Sequence, residues 1–219
     1  DRFKGDQEKV IQSVMDGYDT FVLMPTGGGK SLIYQLPALI LDGTAIVISP
    51  LIALMKNQVD QLNAFGVNAK FLNSTLTKGE MNKVKKETLE GKVKLLYVAP
   101  ESLTKEENVD FLKKANISFA AVDEAHCISQ WGYDFRPPYL QIAEIRPLIG
   151  DAPVLALTAT ATPEVIDDIQ EKLHFREKHV LRKSFERKNL SYVVFREEDK
   201  GGRLMKIISN VKGSGIVYV

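Results

Sequence analysis

Residues 24–31, Met24-Pro25-Thr26-Gly27-Gly28-Gly29-Lys30-Ser31, follow an apolar run, Thr20–Met24, and open a segment that reads as a helix. Glycines let consecutive backbone N–H groups curl round phosphate oxygens without Cβ clashes, and a helix N-terminus adds positive potential. Lys30 then neutralises β- and γ-phosphates, and Ser31 presents a hydroxyl to Mg²⁺. The general form of this phosphate loop carries a further glycine at the place of Met24, so the site here is a relaxed version. Pro25, Thr26, Gly27, Gly28, Gly29, Lys30 and Ser31 are the candidate nucleotide-binding residues, with Lys30 also a catalytic candidate.

Outward from this loop, short apolar runs alternate with amphipathic stretches. Thr20–Met24, Ala45–Ser49, Lys94–Val98, Phe119–Val122 and Val154–Leu157 read as strands covered on both faces. Thr77 and Glu80 have capping-box spacing ahead of a helix that Gly91 ends. Ser49-Pro50 and Thr162-Pro163 each set a capping hydroxyl before a proline at a first helical turn. Such alternation predicts an α/β fold with a mostly parallel sheet flanked by helices, and ligands at the carboxyl ends of the strands. Residues 1–185 form the expected nucleotide-binding domain. Residues 186–219 read as a linker and the start of a second domain, with strand-like pieces Leu190–Phe195 and Gly215–Val219 around a helical Arg203–Val211. The abrupt start at Asp1 and the apolar finish read as cut ends.

Asp123-Glu124-Ala125-His126 closes one of these runs. A carboxylate at a strand end beside a phosphate loop suits Mg²⁺, and its neighbour Glu124 suits a general base that orients water. His126 has a weaker claim, because an isolated histidine is often structural. Gln7 has an amide able to read adenine's edge, yet its chemistry alone fits a surface glutamine. Trp131 and Phe135 alternate with Gln130 and Arg136 in turn-like sequence, which suits stacking on unpaired bases and pairing with phosphate.

The totals set outer bounds. The 219 residues carry 29 Lys+Arg against 28 Asp+Glu, so net charge decides nothing about nucleic acid. Cys127 is the single cysteine, which rules out an internal disulfide or a cysteine zinc cluster and makes a reducing, intracellular setting the default. No apolar run approaches the roughly 20 residues of a membrane span.

Six segments together carry a resemblance: MPTGGGKS (24–31), SPLIALMKNQVDQL (49–62), YVAPESL (97–103), DEAHCISQWGYDFRP (123–137), LTATAT (157–162) and SGIVYV (214–219). In order and spacing they resemble RecQ-type helicases, with Cys127–Pro138 the most specific stretch. The resemblance implies a RecA-like motor domain, followed by the start of a second, in an ATP- and Mg²⁺-dependent 3′-to-5′ DNA helicase. It assigns Gln7 and Lys4 to adenine, although Lys4 stands where arginine is usual. It assigns Ser31 and Asp123 to the metal. Single-stranded and duplex DNA fall to Ser49, Leu51, Lys56, Trp131, Phe135 and Arg136, and coupling falls to His126, Gln130, Thr158 and Thr160. It further implies an arginine finger from the facing domain, zinc-binding and winged-helix regions beyond residue 219 and no zinc on these residues, so that this chain alone hydrolyses ATP poorly. Work on DNA would place the protein in the cytoplasm or nucleoid of a bacterium, or in a eukaryotic nucleus. A DEAH-type RNA helicase, a non-hydrolysing ATP-gated DNA module and a phosphate-loop switch are the alternatives.

Overall fold

The computed structural model describes residues 3–103, 105–131, 134, 136–183 and 190–218. They divide into two compact units, residues 1–185 and 186–219. In the first unit the strands are β1 Thr20–Leu23, β2 Thr44–Ile48, β3 Ala69–Leu72, β4 Leu95–Val98, β5 Ile117–Val122, β6 Val154–Thr158 and β7 Val180–Arg182. The helices are α1 Gln7–Met15, α2 Lys30–Ile40, α3 Ile52–Ala64, α4 Lys78–Leu89, α5 Glu106–Lys114, α6 Pro137–Leu140, α7 Arg146–Ile149 and α8 Pro163–Lys172. The second unit holds α9, Lys200–Asn210, whose N-cap Asp199 accepts a hydrogen bond from Gly202 N.

The sheet order is β3-β4-β2-β5-β6-β1-β7, and every described pairing is parallel. Alternation along each strand sends side chains to two separate cores. Phe21, Leu23, Ile46 and Ile48 pack with Val84, Phe111, Leu112 and Ile166, from α4, α5 and α8. Val22, Ala45 and Val47 pack with Val10, Ile33, Tyr34, Met55 and Val59, from α1, α2 and α3. Helices therefore cover both faces, which is why the interior strands read as unbroken apolar runs.

All five expected strands are present, within one or two residues of their expected bounds. The edge strands β3 and β7 escaped the apolar-run criterion, since half of β3 and most of β7 is only partly buried. The Thr77 capping box forms, and Thr162 caps α8 by accepting from Val165 N. Ser49-Pro50 does not start a helix. Ser49 N donates to Val98 O at 3.3 Å and extends the β2 ladder, so the turn into α3 completes only at Leu51, an extended N-cap with no side-chain cap. Residues 190–195 and 215–218 carry no strand. Tyr192 and Val194 there are 89% and 94% exposed, and an extended segment without a ladder partner leaves its backbone groups unpaired.

Beneath the sheet, at the end away from the phosphate loop, Asp19 ties three segments together. Its carboxylate accepts from Val154 N (2.8 Å) and from Arg176 N and Nε (2.9 and 3.1 Å). Arg146 Nη2 stands 2.8 Å away, an ion pair close in distance rather than a well-aligned hydrogen bond. Burial pushes the Asp19 carboxyl up, but the hydrogen bonds from Arg176 and Val154 and the Arg146 guanidinium beside it outweigh it and hold the pKa below the usual carboxylate range. A depressed folded pKa gives stability that is complete above the unfolded value of about 3.9 and is lost as pH falls through the folded value. Asp19→Ala leaves the Arg146 guanidinium unpaired, so thermal or urea unfolding of this variant is expected to show a loss of about 3 kcal/mol at neutral pH. The acid-induced drop below about pH 4 should shrink with it.

Candidate active site

Parallel pairing brings the carboxyl ends of β1, β2, β4, β5 and β6 to one edge of the sheet. The ladder continues one step past each strand: Met24 N donates to Thr158 O (3.0 Å) and Asp123 N to Ile48 O (2.8 Å). The residues that follow those strands, 25–31, 49–58, 99–103, 123–126 and 158–160, therefore stand side by side although far apart in sequence.

The phosphate loop leaves β1 and becomes the N-terminus of α2. Gly29 is the N-cap at φ 84°, and Gly27 sits at φ 77°. Gly28 is needed for space: a Cβ there would lie 2.6 Å from Met24 Cγ and 2.8 Å from Pro25 O. The loop thus curls so tightly that only glycine fits, with the first-turn N–H groups of α2 lacking intrahelical acceptors. That cradle suits the phosphates of a nucleoside triphosphate. Thr26, Gly27 and Gly29 are exposed, and Pro25, Lys30 and Ser31 are half-buried.

Gln7 is 3% exposed, which corrects its reading as a surface glutamine. Its Oε1 accepts from Lys4 N (2.7 Å), and its Nε2 donates to Gly28 O and Gly29 O (both 3.3 Å). The amide is thus held between the chain entering α1 and the phosphate loop, an arrangement invisible to local sequence. Lys4 is an exposed neighbour that takes part here through its backbone.

Across the edge, Lys30 Nζ lies 3.4 Å from Glu124 Oε1. Glu124 adopts φ 49° and ψ 45°, a left-handed conformation costing a β-carbon-bearing residue about 1–3 kcal/mol. Its N–H donates to Asp123 Oδ1 at 3.0 Å. The Asp123 carboxyl is pushed up chiefly by burial, with the Lys30 charge pulling it back. His126 Nδ1 stands 2.8 Å from Thr158 Oγ1 and 3.4 Å from Glu124 Oε2, and burial lowers its pKa, against the pull of Glu124 and Asp134. Thr158 Oγ1 also accepts from Thr160 N and donates to Thr160 O, each at 3.2 Å. The buried Thr158 belongs to this network directly, and the exposed Thr160 through its backbone.

The 3₁₀ turn Ala125–Ile128 leads into the aromatic segment. Trp131 is 80% exposed, and Gln130 is exposed beside it. Arg136 Nη2 and Nε pair with Asp134 Oδ2 (2.8 and 3.2 Å), so its charge is locally balanced. Phe135 and Tyr133 lie outside the described residues. Leu51 is 49% exposed and Lys56 is exposed, whereas Ser49 is 3% exposed and its Oγ has no hydrogen-bond partner. Ser49 is therefore beneath the surface that Leu51 and Lys56 present.

Three participants carried no signal of their own. Tyr139 donates its hydroxyl to Asp123 O at 3.2 Å and steadies the turn. Tyr34 is buried on α2 close to this site, and its pKa is pushed up by burial, with Tyr97 and Asp123 adding to the shift and Ser31 opposing it. Asp134 partners Arg136. Each reads in sequence as an ordinary apolar or surface position, and only the fold sets it beside the site. The donor set of Ser31 and Asp123, a hydroxyl and a carboxylate next to a phosphate cradle, fits Mg²⁺. Among the described residues, no helix is long and apolar enough to cross a membrane.

Comparison with known proteins agrees with this arrangement. The ATP-dependent DNA helicase RecQ of Haemophilus influenzae is 44% identical over 217 residues, covering 99% of this chain and 35% of the relative. The protein of the same name from Bacillus subtilis is 45% identical over 221 residues, covering 100% of this chain and 37% of the relative. The chain thus spans little more than a third of the length of these relatives. In fold it is similar to the crystal structure of a hypothetical ATP-dependent RNA helicase from Sulfolobus tokodaii, with TM-score 0.64 at 16% identity, over 84% of this chain and 53% of that one. Residues 4–169 match the DEAD/DEAH box helicase family, and the chain belongs to that family.

Proposed function

We propose that residues 1–185 are the first motor domain of an ATP-dependent 3′-to-5′ DNA helicase, and that 186–219 are the linker and start of the second. The observation that carries this reading is Glu124, which touches Lys30 on one side and His126, itself held by Thr158, on the other, seven residues before the exposed Trp131. Lys30 and the amides at the start of α2 bind the triphosphate. Gln7 and Lys4 face the adenine. Ser31 and Asp123 hold Mg²⁺, which supplies charge neutralisation on the phosphates. Glu124 accepts a proton from the attacking water and orients it. An arginine finger from the facing motor domain completes transition-state charge stabilisation, so hydrolysis by residues 1–219 alone is slow.

Trp131, Phe135 and Arg136 engage the unpaired strand by stacking and phosphate pairing, with Leu51 and Lys56 along its path. The relatives' names, ATP-dependent DNA helicase, support DNA over RNA, and unwinding of matched DNA and RNA duplexes tests that choice. Action on DNA also sets the protein inside the cell. Trp131→Ala is the direct test of coupling: nucleotide affinity should stay within about twofold while stimulation of phosphate release by single-stranded DNA falls at least about tenfold, as loss of a stacking contact implies. Stimulation that survives intact in this variant would remove the loop from the mechanism.

A further inference from the structure

The second turn of α2 meets two other segments of the site edge. Gln35 Nε2 donates to Gln58 Oε1 at 2.8 Å, joining α2 to the end of the Ser49–Gln58 segment. One residue earlier, Tyr34 packs edge-on against Tyr97, with ring centroids 6.4 Å apart at 73°. Tyr97 opens the segment 97–103, a motif not yet given a task. Both phenols are buried, at 3% and 1% exposure. Tyr97 Oη lies beside the Tyr34 hydroxyl and the Gln35 amide, yet it has no hydrogen bond of good geometry.

A net contribution near 1 kcal/mol makes a glutamine pair a poor source of stability, and an apolar pair of the same shape would serve packing as well. What the pair supplies is a fixed orientation between α2 and α3. Gln35 is the residue of α2 that makes this contact with α3. A side-chain hydrogen bond between two packed helices is a physical link through which two sites can bias one another.

We propose that Gln35 is a positioning residue that couples the nucleotide site to the single-stranded-DNA path, because its hydrogen bond to Gln58 ties α2, which presents Lys30 and Ser31, to α3, which presents Lys56. The inference rests on the function proposed above. Gln35 touches neither ligand; it sets the angle at which α2 presents Ser31 and α3 presents Lys56.

The test is thermodynamic linkage, read as the Kd of a fluorescent oligothymidylate with and without Mg²⁺ and a non-hydrolysable ATP analogue. In the unaltered protein the analogue should change oligonucleotide affinity at least about fivefold, the lower end of usual coupling. Gln35→Met should reduce that change to less than about twofold, with analogue affinity in the absence of DNA altered less than about threefold. Gln58→Met should lose linkage too, the double variant should lose no more, and Gln35→Lys with Gln58→Glu should restore it. Linkage that persists in Gln35→Met overturns the inference. So does a loss that merely tracks a lowered Tm and equally weakened analogue binding, since that is the mark of a structural role. An unaltered protein that binds both ligands without linkage also overturns it and leaves the site reading standing. If neither ligand binds, the proposed function itself fails, and the inference with it.

Discussion

Lys30→Ala is expected to reduce steady-state ATP hydrolysis by at least about 10²–10³-fold, the usual cost of deleting one preorganised charge donor at a phosphoryl-transfer site. The ammonium group is the only side-chain cation that α2 directs at the cradle formed by residues 25–29, and it is half-buried against Glu124. Arg136, a cation of the neighbouring segment, is already held by Asp134. Phosphate release under saturating Mg·ATP checks the rate, and a fluorescent nucleotide titration checks binding. Removing the lysine also frees Glu124 from its ion pair, so its effect on the fold should be small. Activity within tenfold of the unaltered protein would take Lys30 out of the site.

Glu124→Gln isolates the proton-accepting role. The amide keeps the shape, the left-handed backbone and a hydrogen-bonding group for His126, but it cannot accept a proton from water. Hydrolysis is expected to fall about 10²–10⁴-fold, the range for loss of a positioned general base. Nucleotide affinity should hold or increase, because the like charge beside Asp123 is gone. Single-turnover hydrolysis set against equilibrium nucleotide binding separates the two outcomes. A parallel loss of binding and turnover would recast Glu124 as part of the binding site. Together with Lys30→Ala, this variant distinguishes a group that holds phosphate from one that activates water.

The glycines and Lys30-Ser31 point to a phosphate cradle from sequence because their chemistry is local: backbone N–H groups, one helix start and two side chains within eight residues. Asp123-Glu124 is legible for the same reason, as carboxylates that close an apolar run. Interior strands are legible because burial on both faces leaves no polar position in them. Edge strands β3 and β7 are not, since one side of each meets no further strand and their side chains are mixed. Ser49-Pro50 misleads because a serine before a proline looks the same whether the ladder has ended or runs one residue further.

By itself, then, the sequence determined the α/β alternation, the phosphate loop and the acidic pair, all set by patterns a few residues long. Its resemblance to RecQ-type helicases added the expectation of DNA as the substrate. The tertiary structure alone decided which distant groups meet. It buried Gln7 against Gly28 and Gly29, gave His126 a partner in Thr158, set Glu124 in a strained left-handed turn and brought Gln35 to Gln58. These contacts span 21 to 32 residues of chain, and parallel crossovers create them. No local pattern encodes a contact whose two halves are separated by a strand and a helix, so the phosphate loop with which the chain announces itself acquires its partners only when the sheet forms.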